Sequence, residues 1–199
     1  MKNISPFCAA VAALLSIQPL SADIVGDLSS EQIKKLNAGE MLVSESKVDG
    51  GAWPKVSVTT LVEAPVATLT ALFRDYEAAP SYQPNMVSAT VVDKPSADVV
   101  DVKYVSKLPV IGENTNTVRN TYSTSGAQSI VEWKLLDSTS ANVSNGSMVV
   151  EAFEGGSVLR YENYVEPKSK LAVLAKGAAL GEAKKTVRQI KAEAEKRAK

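Results

Sequence analysis

Between Met86 and Glu166 the chain offers six successive strand-like runs, followed by a proline and one long helical stripe. The runs are Met86–Val92, Val99–Leu108, Thr115–Thr124, Ser129–Leu136, Ala141–Ala152 and Val158–Val165, most of them parted by short polar turns such as Ser125-Gly126 and Gly155-Gly156. Connections this short indicate an antiparallel meander, because parallel strands need crossovers of about a dozen residues or more. A sheet of that length twists, and one helix stripe cannot cover it flat, so it has to curve around the helix. The expected class is therefore α+β: a curved antiparallel sheet wrapped around a long C-terminal helix, with short helices after the first strands.

The flanking segments fit that frame. Ser29 to Leu36 places Ile33 and Leu36 on one helical face, with Ser29 or Ser30 as cap and Gly39 beyond the end. Glu40 to Val48 and Lys55 to Glu63 read as a hairpin around Asp49-Gly50-Gly51, and the second run alternates as a half-buried strand does. After Ala64-Pro65, Val66 to Tyr76 has helical spacing, and Glu77 to Asn85 reads as a loop holding Pro80 and Pro84. Past Pro167, Leu171, Leu174, Ala178, Ala183, Val187 and Ile190 mark one face of the long helix, whose charged tail is expected to fray beyond about Ala194. Neither repeats nor a linker interrupt the chain, so residues 23–199 are expected to form a single domain, with its core at about 40–191.

The first 22 residues have another character. Met1-Lys2-Asn3, an apolar run from Phe7 to Ile17, Pro19 and the small-residue exit Leu20-Ser21-Ala22 have the layout of a signal peptide cleaved after Ala22. The alternative is a membrane anchor, but a spanning helix needs about 20 apolar residues, and this run has eleven. A periplasmic or secreted protein is expected, and Cys8 leaves with the leader. The mature chain then has neither histidine nor cysteine. Ser-His-Asp and Cys-His chemistry are thereby excluded, which leaves carboxylate, lysine or tyrosine chemistry or an oxygen-only cation site. No calcium-type loop, GxxxxGK[ST] or GxGxxG is present. No catalytic residue, metal or cofactor is assigned. With Lys2 removed, 21 basic residues face 22 acidic ones, a balance that offers nothing to nucleic acid or to an anionic lipid surface.

The order of elements resembles the START-like, or helix-grip, superfamily, which includes polyketide cyclases and coenzyme Q-binding proteins. The likeness covers about Glu40 to Lys191. It is carried by Val58-Thr59-Thr60-Leu61-Val62-Glu63 leading into Ala64-Pro65 and the helix Val66–Phe73, then by Asp75-Tyr76-Glu77 through Tyr82-Gln83-Pro84-Asn85-Met86. Gly146-Ser147-Met148, Leu159-Arg160-Tyr161 and Pro167 fit the later strands. The resemblance implies a lipid, sterol, quinone or aromatic polyketide enclosed between sheet and helix; a minority of members catalyse cyclisation or dehydration there.

Alternate residues of a strand share a face, and parity supplies a set of candidate lining residues. These are Val102, Tyr104 and Leu108 on one strand, Trp133 with Val131 and Leu135 on another, and Met148 and Val150 on a third. Leu159, Tyr161 and Asn163 come from the last strand, and Leu171, Leu174 and Ala178 from the helix. Trp133, Tyr104 and Tyr161 suit a mostly apolar pocket, with an aromatic body and one polar tip, although aromatics serve equally well as plain core. A buried Asn163 amide would need a tyrosine, a water or a ligand headgroup as partner. Val118, Asn120 and Tyr122 form one face of their strand, so Arg119 should face solvent. Gly177, Gly181 and the alanines around them leave little helix volume, which either keeps a gap open or lets the helix pack close. Leu108-Pro109-Val110-Ile111-Gly112 is either a gate or a hydrophobic turn.

The function expected from these readings is non-enzymatic binding or transport of a hydrophobic small molecule, by a monomer making transient contact with a membrane or with a donor or acceptor protein. Two alternatives remain at this level: a cyclase or dehydratase acting on a polyketide-like substrate, and a ligand-free interaction module with a filled core. Cavity volume discriminates, since a carrier needs on the order of several hundred cubic ångströms.

Overall fold

The computed structural model describes residues 23–108, 112–169 and 176–199, with side chains at 108, 176, 178 and 179 outside the description. In chain order come α1 (Ser30–Asn37), β1 (Leu42–Ser46), β2 (Lys55–Val62), α2 (Val66–Arg74), α3 (Ala79–Tyr82), β3 (Met86–Ser96), β4 (Val99–Leu108), β5 (Gly112–Ser125), β6 (Gln128–Ser138), β7 (Ala141–Phe153), β8 (Gly156–Pro167) and α4 (Lys176–Arg197). The strands form one eight-stranded sheet in the order β1-β2-β8-β7-β6-β5-β4-β3. Every neighbouring pair is antiparallel. This is the helix-grip architecture, with α2 and α4 on the inner face. The expected leader, 1–22, lies outside the described residues, as do Leu171 and Leu174.

Local chemistry sets the element ends. Ser29 Oγ accepts from the Gln32 N–H at 3.3 Å while Gln32 Oε1 accepts from the Ser29 N–H at 2.9 Å, a reciprocal cap that starts α1. Gly39, at φ +82°, turns the chain out of it. The proline loop after α2 contains α3, a short helix that the sequence reading did not anticipate. Pro80 sits in its first turn, where a missing N–H costs nothing. Strand β3 runs on past Val92 and through Pro95, because it is an edge of the sheet, with no neighbour on its far side among the described residues.

The main core lies between the inner face of β2, β8 and β7 and the two helices. Val58, Val150, Leu159, Leu69, Leu72, Val187, Ile190 and Ala194 have no exposed surface, and the larger of them contribute about 1.5–3 kcal/mol each by burial. A second, smaller cluster forms on the outer face, where Ile24, Leu36 and Val158 are buried together. It pins the N-terminal segment, helped by the Ile24 N–H donating to Glu151 Oε2 at 2.9 Å.

The fraying expected beyond Ala194 does not occur. Arg197 donates to Asp75 Oδ2 at 2.8 Å and to Glu193 Oε1 at 2.9 Å. Glu195 Oε1 accepts from the Glu63 N–H at 3.0 Å and from Lys191 Nζ at 2.5 Å, and Lys191 also reaches the Leu61 carbonyl at 2.7 Å. Asp75, Leu61 and Glu63 are more than a hundred residues away in sequence, so a local reading of the charged tail could not find them.

This clamp depends on pH. The Arg197 guanidinium holds the Glu193 carboxyl below its ordinary range. Burial alone would raise Glu195, but the Glu63 N–H and Lys191 outweigh it and the net shift is also downward. A carboxylate with a lowered folded pKa contributes stability above its unfolded value, and that stability is lost as pH falls through the folded value. Amide exchange at residues 191–197 should therefore accelerate below about pH 4 before exchange in the sheet does. Asp75→Ala should produce the same pattern at neutral pH. Equal protection of α4 and the sheet throughout would contradict the clamp.

Candidate functional site

Strand register assembles the inner wall. One row crosses five strands as Val58, Tyr161, Met148, Val131 and Tyr122. The next crosses six as Val56, Asn163, Gly146, Trp133, Asn120 and Val100. Backbone pairing thus brings Val102, Tyr104, Trp133, Met148, Val150, Leu159, Tyr161 and Asn163 to the face that α2 and α4 cover. Val102, Val150 and Leu159 are fully buried. The side chains of Leu108 and Ala178 lie outside the description. Arg119 faces outward and grips Asp101 with two hydrogen bonds of 2.8 and 2.7 Å.

Trp133 and Tyr161 stack, ring centroids 5.5 Å apart and 30° between planes. Gly146 permits this, since a Cβ there would fall 2.1 Å from Trp133 Cζ2 and 2.2 Å from the Glu162 carbonyl oxygen. The indole therefore lies flat against the sheet. Asn163, expected to be buried, is half-buried, and its amide has no partner among the described residues. Gly177 and Gly181 are exposed, with nothing within 4 Å of a Cβ built on either. They face away from the sheet and cannot hold a gap open beneath the helix.

Toward β4 and β5 the wall becomes a tyrosine cluster, around a cavity of about 60 Å³ bordered also by Phe73, Met86 and Asn120. Tyr122 donates to the Phe73 carbonyl at 2.7 Å. Its one proton is then used, so Tyr76, 2.5 Å away, is the donor in that contact. The Arg74 guanidinium lies 4.0 Å over the Tyr122 ring, and Tyr104 meets Tyr76 edge-on at 6.5 Å. Tyr82 reaches the Leu72 carbonyl at 3.4 Å. Burial pushes the Tyr82 hydroxyl up to about 12, and burial likewise raises Tyr76, Tyr104, Tyr122 and Tyr161. These hydroxyls stay protonated near neutral pH.

Asp75 is the carboxylate on this cavity, and its two oxygens are taken by Arg197 and by the Ala78 N–H. Among the described residues no three Asp or Glu side chains converge on a metal-sized site. Tyr76, Tyr82, Asn120 and Tyr122 were not among the candidates drawn from the sequence. Parity already grouped Asn120 with Tyr122, but the apolar pattern used to choose a face passes over a strand whose inward side carries asparagine and tyrosine. Tyr76 lies in the turn between α2 and α3 and Tyr82 at the end of α3, where strand parity has no meaning.

The sequence matches the family described as polyketide cyclase / dehydrase and lipid transport over residues 54–195. No curated protein matches it. Among solved structures, a STAR-related lipid transfer protein fragment from Xanthomonas axonopodis superposes with TM-score 0.71 at 13% identity, over 77% of this chain and 93% of that one. Human STARD10 gives 0.66 at 14% identity, over 77% and 69%. The Zhui aromatase/cyclase from a Streptomyces species gives 0.58 at 13%, over 80% and 97%. At such identities the likeness is one of fold.

The tyrosine relay makes an ordered prediction. Tyr122→Phe strands the Tyr76 proton and the Phe73 carbonyl together and should cost about 1–3 kcal/mol, whereas Tyr76→Phe leaves Tyr122 its acceptor and should cost less. Urea unfolding measures both, and the reverse order would refute the donor assignment.

Proposed function

We propose that this chain, which belongs to the polyketide cyclase / dehydrase and lipid transport family, binds and carries a hydrophobic small molecule between the inner sheet face and α4, outside the cytoplasmic membrane. The observation that supports this most is an inward hydroxyl, that of Tyr161. Tyr161 belongs to the wall facing the helices, and its hydroxyl has no hydrogen-bond partner among the described residues, whereas that of Tyr104 on the same wall is met by Asn120. A donor left without an acceptor on an apolar wall is costly unless something meets it. An acceptor oxygen on an otherwise apolar ligand meets that need, with the Trp133–Tyr161 stack as the adjoining surface.

The 60 Å³ cavity has room for water and falls well short of the several hundred cubic ångströms a carrier was expected to need. Binding therefore requires space beyond it, and in the liganded form α4 stands farther from the sheet than it does here. The cyclase alternative needs a group that takes or gives a proton near neutral pH. The tyrosines of this wall are raised and Asp75 is engaged, which favours binding over turnover. The leader supports a periplasmic or secreted setting, with transient contact with a membrane or a donor protein during loading.

The chain has two tryptophans, so the Trp53→Phe variant reports on Trp133. Titration with fatty acids, quinones and sterols should give a saturable change in its emission. Tyr161→Phe should weaken binding roughly 5- to 10-fold, the size of one hydrogen bond, and Tyr104→Phe, whose hydroxyl Asn120 already meets, should weaken it less. An unchanged spectrum with every probe would favour the filled-core module. A substrate whose kcat fell more than about a hundredfold in either variant, with binding intact, would establish the enzyme instead.

A further inference from the structure

The outer face of the sheet carries a second depression, on the side away from α4. Residues 23–53 lie outside the stretch that matches the family, and part of this segment builds the walls, with Asp27, Leu28 and Gln32 on one side. The floor is set by register. Leu42, Thr59 and Arg160 form one row, and Ser44, Ser57 and Glu162 the next. The groove measures about 370 Å³, several times the inner cavity and inside the range of roughly 300–1,000 Å³ for ligand sites.

Its charges cancel. Arg160 meets Asp27 at 3.4 Å, and Lys55 meets Glu162 at 3.0 Å. Arg160 is only 18% exposed, yet its two contacts, to Asp27 and the Ile24 carbonyl, are both 3.4 Å long. Most of its five N–H donors thus have no acceptor among the described residues. The result is a dense set of donors and acceptors with no net field to select an ion. Guanidinium and carboxylate groups present paired, coplanar hydrogen-bonding atoms, which match vicinal hydroxyls, and the Ser44 and Ser57 hydroxyls add to them. Leu28 and Leu42 supply an apolar edge for the C–H face of a ring.

We propose that this groove binds a neutral sugar, either free or as a unit of a glycan chain. The site is on the opposite face from the hydrophobic one, so its fate is independent of the proposal above. The test is an amide-shift titration of the full mature chain with glucose, galactose, mannose and N-acetylglucosamine, then maltotriose and chitotriose, each to about 50 mM to cover millimolar affinity. Saturable shifts at Ser57 and Arg160 are expected with at least one of them. Tighter binding of a trisaccharide assigns the groove to a chain, and equal binding to a free sugar. Ser57→Val, a substitution well suited to a strand, should weaken binding at least tenfold with the remaining spectrum intact, and Glu162→Gln should also weaken it. Absence of saturable shifts with every sugar would overturn the proposal. So would unchanged affinity in Ser57→Val, or sodium glucuronate binding more than tenfold tighter than glucose.

Discussion

The antiparallel register of β2, β8, β7, β6 and β5 is the constraint on which the rest of this structure depends. It carries Val58, Tyr161, Met148, Val131 and Tyr122 across five strands in a single row. A slip of one residue in any strand would turn its whole set outward, and Val187 and Ile190 of α4 would lose their partners. Because both faces of the same strands are used, the register also decides what is outside. Arg160 and Glu162 are outward for the same reason that Leu159, Tyr161 and Asn163 are inward.

That shared origin divides the inner face into two regions with different physics. Where α2 and α4 press on β2, β8 and β7, the contacts are aliphatic and fully buried, and the C-terminal ion pairs with Asp75 and the Glu63 amide hold the helix end down. Where the wall passes to β4 and β5, side chains with hydroxyl and amide tips take over. There α2 contributes the Phe73 carbonyl, the turn between α2 and α3 the Tyr76 hydroxyl, and α3 that of Tyr82. The first region is held mainly by aliphatic packing, with Tyr161 and Asn163 of β8 as its polar members. The second is a hydrogen-bonded cluster of tyrosines and Asn120, and it is the part of the wall that chemistry, rather than packing, shapes.

Much of this was legible in the sequence, and the limits have physical reasons. Strand parity placed Tyr104, Trp133 and Tyr161 inward and Arg119 outward, because a two-residue period survives any twist of the sheet. The cap at Ser29 was visible because it is local. Contacts between distant segments were not: Arg197 with Asp75, Ile24 with Glu151, and Tyr76 with Tyr122 leave no periodic trace. Nor does the role of Gly146, which reads as a weak point in a strand until the Trp133 ring is seen lying on it. Of the small residues read as leaving a gap under α4, Gly177 and Gly181 face solvent and leave none there, while the side chains of the alanines around them lie outside the described residues. Composition records volume but not direction.

The central claim is that this fold holds a ligand rather than a filled core, and native mass spectrometry of the protein, purified gently from its own host, tests it most directly. The account predicts a noncovalent adduct that organic extraction releases as a hydrophobic molecule bearing an acceptor oxygen, with lower occupancy in Tyr161→Phe. A single apoprotein mass across repeated preparations, together with identical occupancy and identical stability in that variant, would contradict it.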